Sequence, residues 1–210
     1  NGQHVVFVGT GAYLGVTDIT TSQVQSMYAI KDTLNGSSST TAIYSNPRSN
    51  ACSSSTVANC FIRLTLTDTS GVRTASSSVS YSTNFSTMYG WFVDMPESGE
   101  RVDEDPVLSS GTLVYVSNTP STSGACSTGG SSYINYVNYA TGLTVSGAEN
   151  AGVLLSSAGL SSSAALAVTT SGKTVATTKD STGAVTTTTI PTSSSSSTRR
   201  ISWRRLTDGK

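Results

Sequence analysis

Residues 61–67, Phe-Ile-Arg-Leu-Thr-Leu-Thr, alternate apolar and polar with a period of two, halt at Asp68-Thr69-Ser70-Gly71, and resume over residues 72–75. A period of two sends successive side chains to opposite faces of a sheet, and a polar turn ending in glycine reverses the chain. The sequence therefore dictates a β-hairpin here. The same grammar recurs along the chain. Residues 4–8 (His-Val-Val-Phe-Val) form a short apolar run ending in Gly9-Thr10-Gly11, expected to be a strand buried on both faces and followed by a tight turn. Residues 26–32, 91–95, 111–117, 133–139, 164–169 and 173–178 read as further strands, and residues 17–25 as a loop or a single helical turn.

Composition points the same way. Ser and Thr make up about a third of the chain, far above ordinary usage, while Lys and Glu are scarce, so long solvated helices are not expected. Thr, Val, Tyr and Ile favour strands. The fold class is all-β. A strand runs into a polar turn ending Ser-Gly or Thr-Gly at Gly71, Gly142 and Gly183, in steps of 71 and 41 residues. Repeats near 40 residues, each of a few short strands, mark β-propeller blades. A β-sandwich is the rival architecture.

The formal net charge is zero and 11% of residues are charged, which excludes the basic footprint of a nucleic-acid binder. Half of all the arginines, Arg199, Arg200, Arg204 and Arg205, fall in the last dozen residues. They read as a solvated end or a partner-facing strand, with an anion or lipid contact as the alternative. Residues 200–204 alternate as a last strand would, and the Ser-rich residues 193–198 read as a flexible loop. No apolar run approaches the ~18 residues of a membrane span. Without an initiator Met or a signal peptide at Asn1, the chain is expected to be a processed portion of something longer.

Cys52 and Cys60 bracket a small polar loop within a long insertion at residues 35–59. A disulfide between them would stabilise the fold by about 2.5 kcal/mol on the chain-entropy model and imply an oxidising compartment. Zinc is a poor alternative, because the sole histidine is remote in sequence and no C-x-x-C occurs. Cys126 is left either free or bonded outside the chain.

Residues 90–106 concentrate the unusual chemistry and read as hairpin-like. Asp94 and Glu100 have the residue types of a glycosidase pair, but two carboxylates on a hairpin are more economically a turn salt-bridged to Arg101. Asp103, Glu104 and Asp105 form the only acidic cluster. Calcium needs six to eight oxygens from a curved loop, whereas Arg101 and Pro106 mark an ordinary strand entry. His4 has no acid and nucleophile near it in the pattern of a triad, so a satisfied structural histidine is expected. Trp91, Phe92 and Trp203 are expected in core or inter-blade packing, with a sugar-stacking platform as the alternative.

Three segments together resemble the C-terminal propeller region of the PilY/PilC family, proteins of the bacterial type IV pilus tip. They are residues 5–15 (VVFVGTGAYLG) with 25–32 (QSMYAIKD), residues 90–106 (GWFVDMPESGERVDEDP), and Cys126 with residues 129–133 (GGSSY) leading to Thr141-Gly142. The closing Ser202-Trp203-Arg204-Arg205-Leu206 is also similar. The resemblance implies the later blades of a roughly seven-bladed propeller, with long Ser/Thr-rich loops and the remaining blades upstream. It implies a non-enzymatic module that docks on minor pilins at the pilus tip and supports pilus biogenesis, adhesion and twitching motility. It places the protein at the bacterial cell surface after export through the periplasm, with a host or abiotic surface as a further partner. The family's calcium loop is expected upstream, so no cofactor or metal is assigned to this chain. The rivals are a quinoprotein-like extracellular enzyme, whose calcium-bound cofactor and catalytic Asp are not identifiable here, and a glycan-binding propeller.

Overall fold

The computed structural model describes residues 4–32, 46–54, 57–77, 85, 87–121 and 129–192. The chain is all-β: among these residues it forms twelve strands and one short 3-10 helix, Val16–Thr20. The strands are β1 (His4–Gly9), β2 (Ser26–Asp32), β3 (Phe61–Thr69), β4 (Val72–Ser77), β5 (Gly90–Asp94), β6 (Val107–Ser109), β7 (Thr112–Pro120), β8 (Gly130–Asn138), β9 (Gly152–Ser156), β10 (Ala165–Val168), β11 (Thr174–Lys179) and β12 (Val185–Ile190). The first nine make one mixed sheet in the order β1-β2-β5-β3-β4-β9-β8-β7-β6, curled into a half-barrel, and the last three make a separate antiparallel sheet.

The hairpin written at residues 61–75 forms as expected. Leu66 faces Ala75 and Asp68 faces Arg73 across the β3–β4 turn. Ser70 and Gly71 take φ of 54° and 83° there, a left-handed pair that lets the two strands twist together. Gly142 and Gly183 also have positive φ. Only Gly183 closes a hairpin like that of Gly71; Gly142 follows β8 into a longer connection.

Period-two alternation on β7 and β8 builds two cores at once. Leu113, Tyr115 and Val137 face the first core with Ile62, Leu64, Trp91 and Val93. Val114, Val116, Ile134 and Tyr136 face the second, which Ala176 and Ile190 of the small sheet cover. Each such side chain taken fully out of water contributes roughly 1.5–3 kcal/mol, which is why β7 is buried on both faces.

Four expectations change. The β1 strand is not buried on both faces: it ends the large sheet, so Val5 and Phe7 pack inward while Val6 and Val8 are 49% and 41% exposed. Residues 90–106 are not a hairpin. β5 lies between β2 and β3, antiparallel to one and parallel to the other, and the chain after it leaves the sheet as a turn. Strands β6, β9 and β12 were not anticipated; the first is three residues long and the last is a threonine run with weak apolar alternation. Finally, the described strands do not form separate blades. The parallel β3–β5 pair and the two-residue β4–β9 pair join what would be neighbouring units into one sheet. Within the insertion at 35–59, residues 46–54 and 57–59 are described, with a short turn over 47–50.

Candidate functional site

The three distinctive segments of the sequence meet in space. Gly9 and Gly11 leave room for Val102 and Arg101: a Cβ on Gly9 would lie 2.4 Å from Val102 Cγ1, and one on Gly11 2.3 Å from Arg101 Cβ. The Val102 N–H donates to the Thr10 carbonyl at 3.0 Å. The Arg101 guanidinium then ties the region together, donating to the carbonyls of Ala12 and Asp18 at 2.8 Å each and of Gly99 at 3.0 Å. A buried arginine held by carbonyl oxygens is satisfied without a carboxylate. The third segment joins through Trp91, whose Nε1–H donates to the Tyr139 carbonyl at 3.0 Å. Gly142 sits against the same indole, where a Cβ would come within 2.8 Å of Trp91 Cδ2.

The two carboxylates at 94 and 100 go to separate clusters, neither with Arg101. Asp94 accepts from Ser26 Oγ at 2.7 Å, from Arg48 at 2.6 Å and 3.1 Å, and from Arg63 at 3.1 Å. Burial raises its pKa, but the Ser26 bond and the two arginines outweigh this and hold it below the ordinary Asp value. Glu100 is fully buried and forms a bidentate pair with Arg73 at 2.6 Å and 2.9 Å. Ser117 Oγ donates to the same carboxylate, and Arg73 also donates to Ser117 Oγ at 3.2 Å and Asn135 Oδ1 at 3.1 Å. The Arg73 guanidinium lies 3.4 Å from the centre of the Tyr133 ring. Asp68 is 3.6 Å from Arg73 Nε, near enough for charge attraction but beyond a hydrogen bond. The fully buried Tyr115 hydroxyl has no hydrogen-bond partner among the described residues, and burial pushes its pKa up. Sequence reasoning missed Arg73, although the hairpin register places it directly opposite Asp68.

The acidic cluster is engaged in structural bonds. Asp103 accepts from Asn118 Nδ2 at 2.9 Å and Glu104 from the Ser163 N–H at 2.9 Å. Burial pushes the Glu104 carboxyl up against that Ser163 bond, and repulsion from Asp103 and Asp105 adds to the rise. Asp103 and Glu104 edge an open cleft of about 540 Å³ that Tyr13, Lys179 and Asp180 also line. Among the described residues no group of three or more His, Cys, Asp or Glu is placed to hold a metal. His4 is exposed on the edge strand β1, not a buried structural histidine, because its side chain points away from the core that Val5 and Phe7 reach. Trp91 is core. Phe92 is buried on the opposite face, stacked at 5.8 Å on Tyr28 under the Arg48 guanidinium.

Cys52 and Cys60 are joined by a disulfide, with Cα atoms 5.1 Å apart. Cys126, Trp203, Arg199, Arg200, Arg204, Arg205 and the Ser-rich loop at 193–198 lie outside the described residues. The arrangement brings together packing and strand-fixing groups, and the sole histidine stands apart from all of them. Comparison with protein-family models, with curated proteins and with solved structures finds no match to this chain.

Proposed function

We propose that this chain is a contact module of a type IV pilus tip protein of the PilY/PilC kind, acting without catalysis by docking on minor pilins and supporting pilus biogenesis, adhesion and twitching motility. The observation that carries the reading is the convergence of the three resembling segments. Gly9 and Gly11 are shaped to receive Arg101-Val102, and Gly142 is shaped to receive Trp91. Mutual packing accounts for the unusual residue choices in those segments without calling on a reactive group.

Connectivity supports the finer reading as later propeller blades. Strands β6, β7, β8 and β9 are neighbours in chain order, an antiparallel meander of four, and β10 to β12 make a meander of three. Up-and-down meanders of this kind are what blades are made of. On this reading the β3–β4 hairpin is an insertion between the second and third strands of an earlier blade, β1-β2-β5, and its edge contacts join adjacent blades. The remaining blades, the calcium loop and any surface-binding domain then lie upstream. The disulfide accords with passage through an oxidising periplasm to the cell surface. Among the described residues β1 ends the large sheet, a position that offers a docking route by strand addition.

The test is capture of purified minor pilins by the full-length protein, paired with pilus counts in a deletion strain. Binding with loss of pili is expected. Absence of binding together with normal piliation overturns the pilus role.

A further inference from the structure

Arg48 reaches the Asp94 cluster from a stretch of chain with little regular structure. Residues 46–52 are exposed or half-buried and hold one turn, in which the Asn46 carbonyl accepts from the Ser49 and Asn50 N–H groups at 3.1 Å and 3.2 Å. From that turn the Arg48 guanidinium donates to Ser26 Oγ at 2.6 Å and to Asp94 at 2.6 Å and 3.1 Å, and it lies 5.8 Å from the centre of the Phe92 ring. Two backbone bonds fasten the stretch to the start of β3. The Phe61 N–H donates to the Asn50 carbonyl and the Cys52 N–H to the Phe61 carbonyl, at 2.9 Å each. The Cys52–Cys60 disulfide adds a covalent tie at the same place. Its Cys60 end is buried in the first core, where Met88 Sδ lies 3.9 Å from both sulfurs.

We infer that this disulfide is a redox-sensitive clasp: opening it lets residues 46–52 lift from β3 and withdraws Arg48 from Asp94, Ser26 and Phe92, while both sheets stay folded. A covalent tie makes each weak contact beside it intramolecular over a very short tether, which raises its effective concentration. Without the tie the stretch keeps few hydrogen bonds and little buried surface, the conditions under which a segment opens locally. The chemistry balances with a dithiol as reductant. The bond between the two sulfurs breaks, Cys52 and Cys60 each gain one electron and one proton, and the dithiol loses both pairs as it closes to its own disulfide. Asp94 is then left with Ser26 and with Arg63, whose side chain is 64% exposed. The charge pairing on this face of the large sheet thus follows the redox poise of the surroundings.

The clasp does not depend on the pilus reading. It is tested on the full 210-residue chain carrying Cys126→Ser, so that only Cys52 and Cys60 can exchange, before and after reduction with dithiothreitol. On reduction the amides of Cys52 and Phe61 are expected to exchange at least about tenfold faster, with β7 and β8 amides unchanged. Burial already works against the Asp94 charge, so loss of Arg48 should let its carboxyl titrate higher in carbon NMR. Arg48→Ala in the oxidised chain should raise that titration to the same extent, and reduction should then add nothing. A disulfide acting on the unfolded chain alone would move none of these readouts. Unchanged exchange at Cys52 and Phe61 overturns the clasp, as does an unchanged Asp94 titration. Loss of protection in β7 and β8 on reduction also overturns it, because the bond then holds the whole fold rather than one segment. So does a further rise on reducing Arg48→Ala, which would take the effect away from Arg48.

Discussion

Arg73 and Glu100 meet through two parallel N–H···O bonds of 2.6 Å and 2.9 Å, with both side chains sealed from solvent. The pair links the β3–β4 hairpin to the turn after β5, and through Ser117 and Asn135 to β7 and β8. Ions this deep lose several kcal/mol of hydration each, so the cluster holds only while every member is present. Arg73→Met removes the arginine from the buried Glu100 carboxyl, and is expected to cost about 3–5 kcal/mol in urea unfolding. Adding Glu100→Gln to Arg73→Met should recover part of that loss. A double variant as unstable as the sum of the two singles would show that the residues do not act as a pair.

Gly142 answers to a different constraint. Its φ is +68°, and a Cβ there would lie 2.2 Å from Leu64 Cδ1 and 2.8 Å from Trp91 Cδ2. Gly142→Ala therefore combines backbone strain with overpacking of the core and should cost about 2–4 kcal/mol. Gly183 has a φ of +93° with open space around it, so Gly183→Ala should cost only the conformational part, about 1 kcal/mol. Thermal unfolding of the two variants separates the contributions. Equal losses would mean that contact with Trp91 is not what fixes glycine at 142.

Much of the fold was legible because burial on one face leaves a period-two record and burial on both faces leaves an apolar-rich run. The hairpin at 61–75 carries the first plainly, and the strands at 26–32 and 133–139 carry the second. Val185–Ile190 carries neither: threonine serves both the half-buried and the exposed positions, so alternation vanishes from the residue types while persisting in the structure. The edge position of β1 was hidden for the opposite reason, since Val6 and Val8 are apolar yet exposed. The long-range pairing of β5 with β2 and β3 left no local trace, which is why residues 90–106 read as a hairpin. Trp91 and the disulfide needed only residue type and spacing. The partners of Asp94 and Glu100 needed the fold, because Arg48 and Arg73 come from segments 46 and 27 residues away.

The Cys52–Cys60 disulfide closes a loop with a sequence separation of eight beside Met88 and the first core. Replacing both cysteines with serine should lower unfolding stability by about 2.5 kcal/mol through the freed entropy of the unfolded chain. Mass spectrometry of a non-reduced digest should recover the two cysteine peptides linked. Recovery of both as free thiols would refute the pairing.

Asp94 and Glu104 should give opposite pH signatures. Burial acts against the Asp94 carboxylate, but Ser26, Arg48 and Arg63 win, so its folded pKa lies below the ordinary Asp value. The stability it contributes is present above that ordinary value and is lost as pH falls through the lowered one. Asp94→Asn should therefore be less stable than the unmodified protein at neutral pH, with the difference shrinking in acid. At Glu104 burial dominates, opposed by the Ser163 N–H and reinforced by Asp103 and Asp105, so the folded pKa is raised. The folded state then holds the proton more tightly than the unfolded one, and stability falls as pH rises from the ordinary Glu value through the raised one. Glu104→Gln keeps an acceptor for Ser163 and removes the charge, so it should be more stable than the unmodified protein at neutral pH and no different in acid. Melting temperatures of the three proteins across the acid range measure both effects. The assignments fail if Asp94→Asn melts higher than the unmodified chain at neutral pH, or if Glu104→Gln melts lower.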